Sequence, residues 1–340
     1  MTTNKVRPLE GLTVLDLTRL LPGAVATQYL ADQGARVIKI EQPGVGDYGR
    51  TLSPNVFAST NRGKKSVVID LKQAEGRSVL LQMLSHADIL VEGFRPGVMQ
   101  RLGLDYDSLH TLNRRLIYVS ITGYGQQGPD AMLAGHDVNY LAMGGVLGLN
   151  CAAHGEPVIP GVQIGDLVGG SMQAVLGILL ALRSLQVTGE GSYIDVSMTA
   201  GVQSLLTVPL AGPGAEMLNG TFACYNVYRA KDGRWLAVGA LETKFWEELC
   251  RQLGCVDLIP EQYNVAAQSS LKARLAEIFA TRDALDWFER LRGFDCCVTP
   301  VLHVSEIRNA VPASNREAPP GLGEHTEELF REYLIPKTAG

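Results

Sequence analysis

Over the first two hundred positions the apolar residues follow two alternating patterns. Short, nearly continuous apolar runs at 13–17, 36–40, 66–70, 87–91, 116–121 and 193–197 have the length and the Val/Ile content of strands. Between them, positions 24–33 and 73–86 carry apolar residues at helical spacing. Pro22-Gly23 reads as the break after the first strand, and Gly34 as the stop of the first helix. Strand, helix and strand in close succession make a βαβ unit, so the sheet is expected to be parallel. Apolar runs without alternation suit a sheet covered on both faces. Asp166 reads as the N-cap of a helix running through 172–182, the most apolar stretch of the chain. That stretch is too short to span a bilayer and reads as a buried helix. A further apolar helix is expected from 198 to about 210.

At 211–215, Ala-Gly-Pro-Gly-Ala, the pattern changes. Runs at 224–228 and 235–239 flank Asp232-Gly233, a strong hairpin signal. Helical spacing follows at 245–253, 271–281 and 284–292, then a short strand at 297–302 and a last helix near 327–333. The expected architecture is α/β. A Rossmann-like, parallel-sheet large domain spans 1–210, and a smaller α+β domain spans 220–304. The tail 305–340 is expected to return to the large domain.

The 340 residues are 46% hydrophobic and 19% charged, which supports two packed cores rather than disorder. The net charge of −5 argues against a nucleic-acid partner. The six cysteines form no C-x-x-C pair and no cluster with metal-ligand spacing. They read as reduced thiols of a cytoplasmic protein with no metal. The N-terminal segment has no apolar signal-peptide core, and no membrane partner is expected. Positions 44–49, Gly-Val-Gly-Asp-Tyr-Gly, match the dinucleotide-binding pattern letter for letter, but the context is wrong. The motif follows the second strand and leads into 50–54, which is no amphipathic helix.

Two residues flanked by glycine stand out as chemistry. His136 sits in Gly135-His136-Asp137 and Asp166 in Gly165-Asp166. An imidazole titrating near pH 6.5 and a carboxylate form a candidate acid/base pair. Either residue has an ordinary structural role as well, since both stand where helices begin. Glycine beside Asp166 would leave the backbone open to a ligand.

Several segments resemble the class III CoA-transferase family, which includes formyl-CoA transferase, carnitine CoA-transferase and α-methylacyl-CoA racemase. They are 11–17, 30–41 and 61–72, together with Glu92-Gly-Phe-Arg-Pro-Gly97, Arg101-Leu-Gly103 and Gly165-Asp166. Positions 135–140 and 225–242 look like the racemase branch, with Glu242 matching a functional glutamate. The resemblance implies an interlocked homodimer and a coenzyme A site on the large domain. By position, Leu20, Ile69, Leu71, Lys72, Gly93, Phe94, Arg95, Arg101, Gly135, Asp137 and Tyr140 would line the substrate and CoA site. In that reading Ile69, Phe94 and the Lys72 stem sandwich adenine, and Arg95 and Arg101 pair with phosphates. No cofactor is held tightly, because CoA arrives as part of the substrate. The implied activity is that of a 2-methylacyl-CoA racemase, in which His136 and Asp166 exchange the α-proton and Glu242 orients His136. Backbone N–H groups near Gly165-Asp166 would receive the enolate charge. The alternative is CoA transfer between carboxylic acids, with Asp166 as nucleophile and an aspartyl-CoA intermediate. A catalytically silent CoA-binding protein is the third possibility.

Overall fold

The structure is a computed structural model that describes residues 7–152, 155–307 and 317–334. The chain divides into two compact units, residues 1–206 with 315–340, and residues 207–314.

The first unit is built on a six-stranded sheet. Its strands are β1 (Thr13–Asp16), β2 (Arg36–Glu41), β3 (Lys65–Val68), β4 (Ile89–Glu92), β5 (Ile117–Thr122) and β6 (Tyr193–Ser197). All neighbours pair parallel, in the order β3-β2-β1-β4-β5-β6. The helices are α1 (Leu21–Asp32), α2 (Gly49–Leu52), α3 (Pro54–Thr60), α4 (Ala74–Leu84), α5 (Val98–Leu102), α6 (Tyr106–Leu112), α7 (Asp137–Met143), α8 (Val146–Leu149), α9 (Gln173–Thr188) and α10 (Met198–Gln203). One sheet face buries Val14, Val37, Val91 and Val119 against α1 and α9. The other buries Leu15, Ile38, Leu90 and Tyr118 against α4 and neighbouring helices. Burial on both faces explains the unbroken apolar runs.

Several expectations need correction. Pro22-Gly23 lies inside α1, at its start. Proline is tolerated there because the first-turn N–H groups have no helical partner. Positions 49–52 do form one helical turn, directly ahead of α3. The apolar helix after β6 ends at Gln203 and continues only as a 3₁₀ turn to Thr207. The helix from Gly165 to Thr188 is 24 residues long, long and apolar enough by composition to cross a membrane. It is also only half buried. Ala174, Ile178, Ala181 and Leu185 pack inward at helical spacing, while Leu176, Leu179, Leu180 and Val187 are exposed.

Beneath the carboxyl end of β1 lies a fully buried ionic cluster. Asp16, Lys39 and Lys64 have no exposed side-chain surface, and Asp47 has almost none. Lys39 Nζ stands 2.8 Å from Asp47 Oδ2 and 3.9 Å from Asp16 Oδ2. Lys64 Nζ stands 3.4 Å from Asp16 Oδ2 and donates to Thr27, Asn61 and the Ala24 carbonyl. Burial pushes Asp16 upward, yet Lys39 and Lys64 overcome it and hold the carboxyl below its usual range. Burial lowers Lys64 to about 7, against the pull of Asp16.

The last helix, α15 (Thr326–Leu334), packs on α4 and β3, inside the first unit. Glu41 helps join this segment to the sheet. Its carboxylate takes two hydrogen bonds from Arg50, at 2.6 and 2.8 Å, and one from Ser66 at 2.6 Å. Arg50 also reaches the Pro320 carbonyl, and Ser66 Oγ accepts from Gly323 N–H.

The second unit is a three-stranded antiparallel sheet with helices. Its strands are β7 (Tyr225–Arg229), β8 (Trp235–Gly239) and β9 (Val298–Pro300). Its main helices are α11 (Thr243–Leu253), α12 (Gln268–Phe279) and α13 (Ala284–Leu291), with a single turn, α14 (Val304–Ile307). Trp246, Phe279 and Trp287 anchor its core.

Replacing Lys39 with Met would leave Asp16 and Asp47 buried with one cation fewer. Removing one partner of a buried ionic group costs about 3–5 kcal/mol. Urea denaturation of Lys39→Met is expected to show a loss of that order. An unchanged midpoint would mean the cluster contributes no charge pairing to the fold.

Candidate active site

In the sheet order 3-2-1-4-5-6 the direction of winding reverses between β1 and β4. Ligands of open parallel sheets collect outside the strands' carboxyl ends at that reversal. Here the residues following β1 are Thr18, Arg19 and Leu20, and those following β4 are Gly93, Phe94 and Arg95. Two adjoining clefts open at this point. The outer one, about 510 Å³, is lined by Ile69, Leu71, Lys72, Tyr48 and Gln42. The inner one, about 480 Å³, is lined by Leu20, Gly93, Arg95, Gly135, His136, Tyr140 and Asp166. Arg19 and Phe94 line both. A smaller apolar recess of about 220 Å³ is walled by Leu20, Leu21, Val56 and Phe57, and both His136 and Asp166 reach it.

His136 stands at the N-cap of α7, and its own N–H donates to Asn139 Oδ1 at 3.0 Å. It is exposed, at the lip of the inner cleft. The turn before it is set by Tyr140, whose hydroxyl donates to the Gly135 carbonyl at 2.5 Å. Gly135 has no room for a side chain, since a Cβ there would lie 2.8 Å from both the Tyr124 hydroxyl and the Tyr140 ring.

Asp166 does not cap its helix. It lies in the first turn of a π-helical segment, Gly165–Met172, that runs into α9. Asp137 does the capping, its Oδ1 accepting the Asp166 N–H at 2.8 Å. That N–H is therefore already engaged and is not open to an enolate oxygen. Gly169 and Gly170 serve packing rather than ligand access. A Cβ on Gly169 would sit 2.4 Å from the Met198 carbonyl oxygen, and one on Gly170 would sit 3.0 Å from Pro22. Burial is the main reason that the Asp166 carboxyl is pushed up to about 6, with Asp137 adding to the rise and His136 opposing it. A carboxyl tuned this close to neutrality suits proton transfer.

The sequence profile of CoA-transferase family III matches residues 9–326. The chain belongs to CoA-transferase family III. It is 35% identical to the α-methylacyl-CoA racemase of Homo sapiens, across 96% of this chain and 93% of that protein. It is 36% identical to the acetyl-CoA:oxalate CoA-transferase of Acetobacter aceti, across 89% of this chain and 82% of that enzyme. Among solved structures, a CAIB/BAIF family protein from Brucella suis superposes with a TM-score of 0.82 at 28% identity, covering 96% of this chain and 99% of that one.

Of the residues that the family resemblance marks, Leu20, Gly93, Phe94, Arg95, Gly135, His136, Tyr140 and Asp166 meet around the inner cleft. Ile69, Leu71, Lys72 and Phe94 meet around the outer one. Arg101 is exposed on α5 and lines neither. Asp137 stands behind Asp166 as its cap instead of lining the cleft. Glu242 belongs to the second unit, where it is exposed and its carbonyl accepts the first-turn N–H groups of Phe245 and Trp246. Sequence reading missed Arg19, though its place just after a parallel strand was a usable signal.

Because the fold raises the Asp166 pKa, its ionised form is disfavoured there relative to the unfolded chain. Stability from this residue is full below about pH 4 and is lost as pH rises through about 6. Asp166→Asn is therefore expected to abolish activity while stabilising the protein at pH 8, on the order of 2 kcal/mol. The gain should vanish near pH 4. Thermal melts at the two pH values check this, and equal stability at pH 8 would show a well-solvated carboxylate.

Proposed function

We propose that this enzyme is a 2-methylacyl-CoA racemase or epimerase. The observation that carries the reading is that His136, a group acyl exchange does not need, lines the same cleft as Asp166. A thioester carbonyl acidifies the Cα–H because the electron pair left behind spreads onto oxygen as an enolate. One group takes the Cα proton from one face, and the other returns a proton to the opposite face. The Cα–H bond broken is thus replaced by one of opposite configuration, and the two groups end with their protonation states exchanged. A carboxyl raised to about 6 can both take and return a proton near neutral pH, and the imidazole beside it in the cleft serves as its exchange partner. The apolar recess beside both groups suits an acyl chain. CoA is substrate here, its nucleotide end in the outer cleft and its thioester in the inner one.

The competing reading within the family is CoA transfer, in which the Asp166 carboxylate attacks the thioester carbonyl and CoA leaves as thiolate. The relation to an oxalate CoA-transferase keeps it in play. His136→Ala separates the two. In a racemase this change is expected to cost about 10²–10⁴-fold. Deuterium uptake at Cα from heavy water should then become selective for one enantiomer. In a transferase, acyl exchange would survive the substitution largely intact. Wild-type transfer without any Cα exchange would sink the racemase reading.

We also propose a homodimer, supported by the exposed apolar face of α9 at Leu176, Leu179, Leu180 and Val187. Light scattering is expected to give twice the chain mass, and Leu180→Glu to lower it. An active monomer would contradict this.

A further inference from the structure

Resting on the reading that the chain takes a CoA thioester, we propose that Arg19 is the residue that grips the substrate's diphosphate. It would hold the molecule where it bends from one cleft into the other.

The backbone around Arg19 is tied down on every side. Thr18 N–H donates to Asp16 Oδ1 at 2.9 Å, and the Thr18 carbonyl accepts from Lys39 Nζ at 2.9 Å. Leu20 N–H donates to Asp47 Oδ1 at 3.1 Å. Leu20 itself is held at φ 62°, a left-handed conformation that a leucine adopts only under constraint. Three members of the buried ionic cluster therefore fix the turn that carries Arg19. Fixing the turn ahead of binding removes much of the ordering cost of catching a ligand.

The side chain is prepared in the same way. Its guanidinium lies 5.0 Å from the Tyr48 ring centroid and 5.5 Å from that of Phe94. One terminal nitrogen donates to the Tyr48 hydroxyl at 2.9 Å and the other to Gln42 Oε1 at 3.2 Å. Both partners are neutral, so they orient the positive charge without cancelling it. Glu41, the carboxylate next to Gln42 in sequence, is occupied by Arg50 and Ser66. A guanidinium has five N–H donors in a planar fork, which leaves donors for a phosphate.

Position selects which phosphate. Arg19 and Phe94 are the wall common to the outer and inner clefts. A CoA ester with its base near Ile69 and Lys72 and its thioester near His136 must pass this wall. The group that joins the nucleoside to the pantetheine arm is the diphosphate. The 3′-phosphate, on the ribose, stays on the outer side.

The test compares thioesters of CoA, dephospho-CoA and pantetheine with wild type, Arg19→Ala and Arg19→Lys. The alanine variant is expected to lose about 10–100-fold in kcat/KM with the first two, chiefly through KM. With the pantetheine ester the loss should stay below about threefold. Lysine, which keeps charge but not the fork, should fall between. Equal losses on all three esters would make Arg19 a structural residue and overturn the proposal. So would a loss confined to CoA with dephospho-CoA spared, which would move the contact to the 3′-phosphate. Calorimetric binding of CoA, dephospho-CoA and pantetheine gives the same comparison without turnover. Wild type that binds CoA esters but exchanges no Cα proton would thus defeat the racemase reading and leave the Arg19 result standing.

Discussion

The constraint on which the site depends is the buried charge cluster of Asp16, Lys39, Asp47 and Lys64 at the carboxyl end of β1. Charges so deep are costly unless each is paired and hydrogen-bonded. Here the demand for partners is met partly by side chains and partly by backbone. Thr18, Leu20, Asn61 and the first turns of α1 all supply donors or acceptors. The same bonds that satisfy the ions therefore fix the turn that walls both clefts. A hydrophobic core of equal volume would pack as well, but it would leave that turn free to move.

The proposed acid/base pair is assembled by a different device. Two helix starts, α7 and the π-helical turn ahead of α9, are brought side by side, and Asp137 from one caps the other. The cap places one carboxylate close to another. With burial, that proximity raises Asp166 toward neutrality, whereas His136 tempers the rise. Glycine at 165 allows the close approach that this needs, since a Cβ there would lie 3.0 Å from Asp137 Oδ1 and 3.1 Å from the Asp137 carbonyl oxygen. Structural and functional roles are thus divided between neighbours: Asp137 holds the backbone, and Asp166 keeps its side chain for the cleft.

Much of the architecture was legible in the residues alone. The strand runs, the Asp232-Gly233 hairpin and the succession of βαβ units follow from periodicity and turn chemistry, which act locally. His136 and Asp166 could be named as candidates because their residue types and glycine neighbours are visible in one dimension. Boundaries were less legible. Pro22 reads as a breaker until one knows that it begins a helix, and a helix with two apolar faces gives no sign of which face is buried.

What only the tertiary structure decided is pairing across distance. That Asp137 rather than Asp166 does the capping, and that Lys39 meets two carboxylates, depend on contacts between segments with no local signature. The same holds for Arg19, which is an ordinary polar residue after a strand until β1 and β4 are set side by side. The sequence by itself determined the order of elements and the chemistry available. The sheet's winding reversal then determined which of those side chains share a cleft, because only there do the carboxyl ends of adjacent strands part and leave room.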